Sequence, residues 1–100
     1  MRKITKESVK AFYNKGKFKK GNTSVFFDRY DYKSRILLHN NCIATFDHQE
    51  NILTINSCGW FTVTTKERLN ALEGVNIQQK AFKWYLNGLE WNGNNINIKQ

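Results

Sequence analysis

Apolar positions recur along this chain with two different periods. Near the start, Val9, Phe12 and Tyr13 fall at the i, i+3, i+4 spacing of a helical stripe, with Lys6 and Lys10 off it. The spacing predicts a helix over residues 5–15. Thr5 would supply the N-cap hydroxyl, Ile4 and Val9 a hydrophobic staple, and Asn14 and Gly16 the stop. From Thr23 to Val63 the period shortens to that of strands. The runs Ser24–Phe27, Arg35–His39, Cys42–Phe46, Ile52–Ile55 and Trp60–Val63 are β-branched and aromatic, and polar clusters separate them. Asn40-Asn41 and the stretch Asp47–Asn51 read as hairpin turns, so the strands should form an antiparallel meander.

Beyond Val63 the helical period returns. Thr64-Thr65-Lys66-Glu67 reads as a capping box, with Thr64 as N-cap and Glu67 three positions on. Leu69 and Leu72 mark the buried edge of a helix over 64–73, Val75 closes its end, and Gly74 suits a left-handed C-terminal residue. Two further strands follow, Val75–Gln79 and Ala81–Leu86, the second placing Phe82, Trp84 and Leu86 on one face. Asn87-Gly88 is a strong tight-turn dipeptide and Asn92-Gly93 a second, after which Ile96 and Ile98 can complete an edge strand. The fold class is α+β: an antiparallel β-sheet of five or more short strands with two short helices. One hundred residues make a single domain, 1–100. Within it lie a basic helix and loop (1–20), the meander (23–63), the helix (64–73) and C-terminal strands (75–98).

Charge changes this picture most. Of a formal net charge of +8, residues 1–20 carry +7: Arg2, Lys3, Lys6, Lys10, Lys15, Lys17, Lys19 and Lys20 stand against the single acid Glu7. Such a block attracts polyanions and speeds encounter with acidic surfaces. It is mostly lysine, and point charges suit phosphate or carboxylate contact better than base-specific readout. Lys17–Asn22 reads as a basic loop bracketed by Gly16 and Gly21, without the spacing of a nucleotide-binding P-loop. The run Arg29-Tyr30-Asp31-Tyr32-Lys33 alternates aromatic and charged residues, as an interaction strand or a charge-protected edge strand would. The candidate partner- or nucleic-acid-binding residues are therefore the eight basic residues of the block together with Arg29, Tyr30, Tyr32 and Lys33.

Catalytic chemistry is poorly represented. His39 and His48 could act as bases or ligands, but neither lies in a nucleophile motif, and the carboxylates are scattered. No catalytic residue, metal site or cofactor is expected, and the chain is read as a binding protein and not an enzyme. Trp60, Trp84, Trp91, Tyr85 and Phe61 could stack bases, although in a small domain such aromatics usually form the core. Fourteen aromatics exclude a disordered chain. No apolar run approaches the ~20 residues of a membrane helix, and no secretory signal follows the basic N-terminus. Cys42 and Cys58 are expected to be reduced thiols of a cytoplasmic protein.

One stretch carries a resemblance. Cys58-Gly59-Trp60-Phe61-Thr62-Val63-Thr64-Thr65-Lys66-Glu67-Arg68-Leu69-Asn70-Ala71-Leu72, followed by Lys83-Trp84-Tyr85-Leu86-Asn87-Gly88-Leu89-Glu90-Trp91-Asn92-Gly93, resembles small proteins of bacteriophages and mobile elements. In these, a Gly-Trp-Phe strand leads into a Thr-Thr-capped helix and a Trp-Tyr-Leu-Asn-Gly hairpin. The shared residues are caps, turns and core aromatics, so the resemblance transfers no functional residue. It implies a phage origin and residence in the cytoplasm of a bacterial host. It also implies action by binding, as counter-defence proteins do, including anti-CRISPR inhibitors. The leading expectation is a phage-encoded interaction protein that inhibits a host nucleic-acid-processing defence complex through a basic surface. Its partner would be a nucleic-acid-guided effector protein or that effector's nucleic acid, with no membrane involved. A direct DNA- or RNA-binding accessory protein is the alternative, and a small nuclease ranks last.

Overall fold

The computed structural model describes residues 2–100. The elements run α1 (Lys3–Tyr13), β1 (Phe18–Lys20), β2 (Thr23–Asp28), β3 (Lys33–Leu38), β4 (Asn41–Asp47), β5 (Ile52–Ile55), α2 (Val63–Asn70), β6 (Ile77–Lys80), β7 (Lys83–Leu86), β8 (Leu89–Glu90) and β9 (Ile96–Lys99). Two antiparallel sheets result: six strands in the order β1-β2-β3-β4-β5-β9, and three in the order β6-β7-β8. This is the α+β architecture expected, with its meander and its final edge strand.

Period-2 alternation decides which face of the large sheet is covered. On β3, Ser34, Ile36 and Leu38 are buried while Lys33, Arg35 and Leu37 alternate with them on the other side. The register aligns Val25 with Ile36, Ile36 with Ala44, Phe46 with Leu53, and Leu53 with Ile98. A bulge between Ile36 and Leu37 leaves Ile43 as an extra residue, and both Ile43 and Ala44 are buried. α1 packs on β1, β2 and β3, and α2 on α1, β4 and β6. Phe12, fully buried, meets Phe46 at 6.2 Å between ring centroids. The opposite face, with Ser24, Phe26, Arg35, Thr45 and Thr54, is half-buried to exposed.

Several local expectations are corrected. α1 begins at Lys3 with Arg2 as an N-cap that makes no side-chain cap bond. Ile4 therefore lies inside the helix, and no staple forms. Thr5 is fully buried: its hydroxyl donates to Glu67 (2.6 Å) and accepts from Arg68. The α2 cap is Thr62, whose hydroxyl accepts from the Thr65 amide at 3.2 Å. Glu67 reaches across to α1 instead of closing a box. Trp60–Val63 is not a strand, because left-handed Cys58 (φ 54°) and Gly59 (φ 77°) turn the chain there and α2 starts at Val63. The basic loop contains β1, and Arg29–Tyr32 is the β2–β3 turn, not an edge strand. The β3–β4 turn is carried by His39 and Asn40, both left-handed (φ 50° and 65°).

Phe82 does not share a face with Trp84 and Leu86. It sits in the β6–β7 turn, 98% exposed, and both Ala81 (φ 51°) and Phe82 (φ 65°) are left-handed. Asn-Gly suits such a turn, and the next one uses it at Asn87-Gly88. L-residues with a Cβ are strained there by about 1–2 kcal/mol each. Replacing Ala81→Asn together with Phe82→Gly is expected to stabilise the protein by about 1–2 kcal/mol. A urea titration should show a higher midpoint at unchanged slope. An unchanged or lower midpoint would mean that Phe82 makes a stabilising contact.

Candidate partner-binding surface

Antiparallel pairing places the ends of the strands and decides which basic residues meet. Phe18 pairs with Val25 and Lys20 with Thr23, so the chain preceding β1 runs beside the end of β2 and the β2–β3 turn. Lys15, left-handed at φ 58°, reaches the Tyr32 hydroxyl with its Nζ (2.5 Å) and lies 4.4 Å from that ring's centroid. The basic loop and the Arg29–Lys33 run, separate in sequence, thus become neighbours. The turn is braced by its own aspartates: the Tyr30 amide donates to Asp28 Oδ1 (2.9 Å) and the Lys33 amide to Asp31 Oδ1 (3.2 Å). Arg35 then neutralises both acids through ion pairs with Asp31 and Asp28. The Arg35 hydrogen bond is the main reason the Asp31 carboxyl titrates below its usual range.

With those aspartates paired, Lys15, Lys17, Arg29 and Lys33 outnumber the other acids of this end, Asp47 opposite Lys33 and Glu50 in the β4–β5 turn. Tyr30 projects from it 91% exposed, with the Arg29 guanidinium 5.9 Å from its ring centroid. Exposed aromatics beside arginine are the residues that most often anchor protein interfaces.

The rest of the sequence-contiguous block is dispersed. Arg2 pairs with Glu67 (2.8 Å) and Lys3 with Glu7 (3.7 Å). Lys6 and Lys10 are exposed on α1, whose buried side is Thr5, Ser8 and Phe12. Lys19, opposite Ser24, and Lys20, opposite Thr23, lie toward the other end of β2. The sequence missed the meeting of Lys15 with Tyr32, since no local pattern reports a contact across two turns. The aspartate bracing was in principle visible, because Asp at a turn start commonly accepts from the amide two residues on.

Of the two histidines, His48 is built into an aromatic cluster. Phe46, Phe27 and Tyr32 surround it edge-on at 4.7, 5.5 and 6.0 Å, and its Nε2 lies 2.7 Å from Ser34 Oγ. Ser34 is fully buried, and its bond to His48 fixes the half-buried ring against the sheet. Burial, then the nearby Lys15 charge, pushes His48 below its ordinary value of 6.5, and Asp47 opposes this. The neutral ring is the one the fold prefers. Its stabilisation is complete above that ordinary value and is lost as pH falls through the lowered folded value. Urea midpoints should therefore drop between about pH 7.5 and about pH 5, and His48→Gln should reduce the drop. Equal pH dependence in the two proteins would refute this.

Cys42 and Cys58 are both free, and the Cys58 thiol donates to the Cys42 carbonyl at 3.0 Å. Among the described residues, no group of three or more His, Cys, Asp or Glu is placed to hold a metal ion. Likewise, no described helix is long and apolar enough to cross a membrane. No curated protein and no solved structure matches the chain. The model of the Kyanoviridae Gp96 protein family matches residues 1–99, nearly the whole fold just described, and the chain accordingly belongs to that phage protein family.

Proposed function

We propose that this phage protein is an interaction protein of the bacterial host cytoplasm. It docks the end of the sheet formed by Lys15, Lys17, Arg29, Tyr30 and Lys33 on an acidic surface of a nucleic-acid-guided defence effector, of CRISPR type, and blocks it. The observation that carries this reading is the Lys15–Tyr32 contact, which joins the basic loop to the Arg29-Tyr30 turn. Cations around one exposed tyrosine suit a protein surface that normally holds phosphates. The reading requires no catalysis by this chain.

One feature favours direct nucleic-acid binding as a second reading. On the open face of the sheet, half-exposed Phe26 lies directly opposite Arg35, as on single-strand stacking platforms. Target cleavage by a purified, guide-loaded effector, measured with and without the protein, tests the first reading, and retardation of free oligonucleotides tests the second. Inhibition without retardation is the expected result. Salt-sensitive retardation without inhibition would favour the second, and neither effect would defeat both.

A further inference from the structure

The β6–β7 hairpin ends on a tip that the stability of the fold does not explain. Its two turn residues, Ala81 and Phe82, both carry a Cβ in the left-handed region, where Asn-Gly would sit without strain. The Phe82 ring buries nothing and stands almost wholly in solvent. The last pair of the ladder sets Lys80 directly opposite Lys83, and like charges so placed repel. Backbone strain, an unburied aromatic and facing cations thus coincide in four consecutive residues, Lys80-Ala81-Phe82-Lys83. The ring and the cations both become favourable against a partner that is anionic and offers an apolar slot.

The surroundings of the tip narrow that partner's chemistry. Gln78 pairs with Tyr85 as Lys80 does with Lys83, and residues two apart on a strand share a face, so all four lie on the outward side of the small sheet. The inward side belongs to the core, where Ile77, Trp84 and Leu86 are buried. A shallow depression of about 470 Å³ runs back from the tip between Gln78, Lys80 and Tyr85. Gln79 is exposed as well. Lys83 meets Glu90 of β8 at 3.3 Å, while among the described residues no acid pairs with Lys80.

A lipid surface is held by a broad apolar face, whereas here one ring protrudes among amides and ammonium groups. Lysine, glutamine and a single apolar wedge are the groups with which proteins enter the minor groove of a DNA duplex. The cations take phosphates, the amides meet base edges, and the wedge parts one base step. The tip is two residues across, between strands about 5 Å apart, which suits a groove that widens as the duplex bends.

We infer that this hairpin tip binds duplex DNA, with Phe82 wedged into a base step and Lys80 and Lys83 on the phosphates to either side. The tip shares no residue with the Tyr30 end of the large sheet, and the inference stands whether or not that end docks on an effector.

A short A·T-rich duplex carrying the fluorescent base 2-aminopurine tests it, because that base brightens when it is unstacked, and anisotropy reads the affinity. The expected result is saturable binding with a rise in emission. Phe82→Ala should abolish the rise and weaken binding about tenfold, as losing one stacked contact does. Lys80→Gln with Lys83→Gln should lower the salt slope by about 2, one for each phosphate contact. Glu90→Gln, which releases Lys83, should tighten binding. Ala81→Asn with Phe82→Gly, expected above to be the more stable protein, should also lose the rise, which separates the wedge from the fold. A single strand has no paired step to open and should not be retarded. Duplex binding with unchanged emission, a rise that survives Phe82→Ala, or no duplex binding would overturn the inference. Phe82-dependent association with phosphatidylglycerol vesicles in place of the duplex would overturn it in favour of a lipid surface.

Discussion

Replacing Arg68 by alanine is expected to destabilise the protein by about 2–5 kcal/mol, the usual loss when a large buried side chain is truncated and the hydrogen bonds it donates go with it. Arg68 is 1% exposed, yet it carries a guanidinium. Its Nε donates to Thr23 Oγ1 (3.2 Å), and its Nη1 to Thr5 Oγ1 (2.5 Å) and Glu67 Oε1 (2.6 Å). One side chain of α2 thereby ties together β2 and α1. Arg2 closes the network from solvent by donating to the same Glu67 oxygen. Truncation would leave a cavity, remove a donor from the Thr5 and Thr23 hydroxyls, and leave Arg2 as the remaining counter-charge of Glu67. The Thr5 hydroxyl bond, reinforced by Arg2, holds the Glu67 carboxyl below its ordinary 4.5. Its contribution is therefore present above that value and disappears as pH falls below it. Urea unfolding near neutral pH measures the Arg68→Ala loss directly. A loss under about 1 kcal/mol would show that the network contributes little beyond what water would supply.

This network also shows what could and could not be read from the sequence. Period-2 runs and turn residues were sufficient for the meander, because each strand's alternation is a local property. The aromatic stripe of α1 was legible for the same reason: Phe12 is fully buried, and Val9 and Tyr13 pack against the core. The caps were misread because three threonines, Thr62, Thr64 and Thr65, compete within one turn and local propensity does not choose among them. Glu67 looked like the second half of a capping box, but besides its neighbour Arg68 its partners are Thr5 and Arg2, more than sixty positions away. Phe82 followed the strand alternation in sequence, and the tight β6–β7 turn removed it. The basic block was visible as composition. Its division between two ends of a sheet depended on β1, three residues long and two of them lysines, which propensity alone would leave as a loop.

Charge reversal at Lys15, Lys17 and Arg29 tests most directly whether the Tyr30 end of the sheet is the working surface. The partner is the guide-loaded effector, and the measurement is its affinity for the protein across a salt series. All three residues are exposed; substitutions such as those at Lys17 and Arg29 usually shift stability by about 0.5 kcal/mol or less, and the melting temperature checks that losing the Lys15–Tyr32 bond leaves the fold intact. Replacing each by Glu turns every attraction to an acidic surface into repulsion, so affinity should fall roughly a hundredfold, with a flatter salt dependence. The control is the same reversal at Lys3, Lys6 and Lys10 on α1, which changes the net charge equally on a different surface. That variant should lose only a few-fold, through weaker long-range steering. A large loss confined to the Lys15, Lys17 and Arg29 variant is the predicted result. Equal losses in both variants, or unchanged affinity in the first, would contradict it.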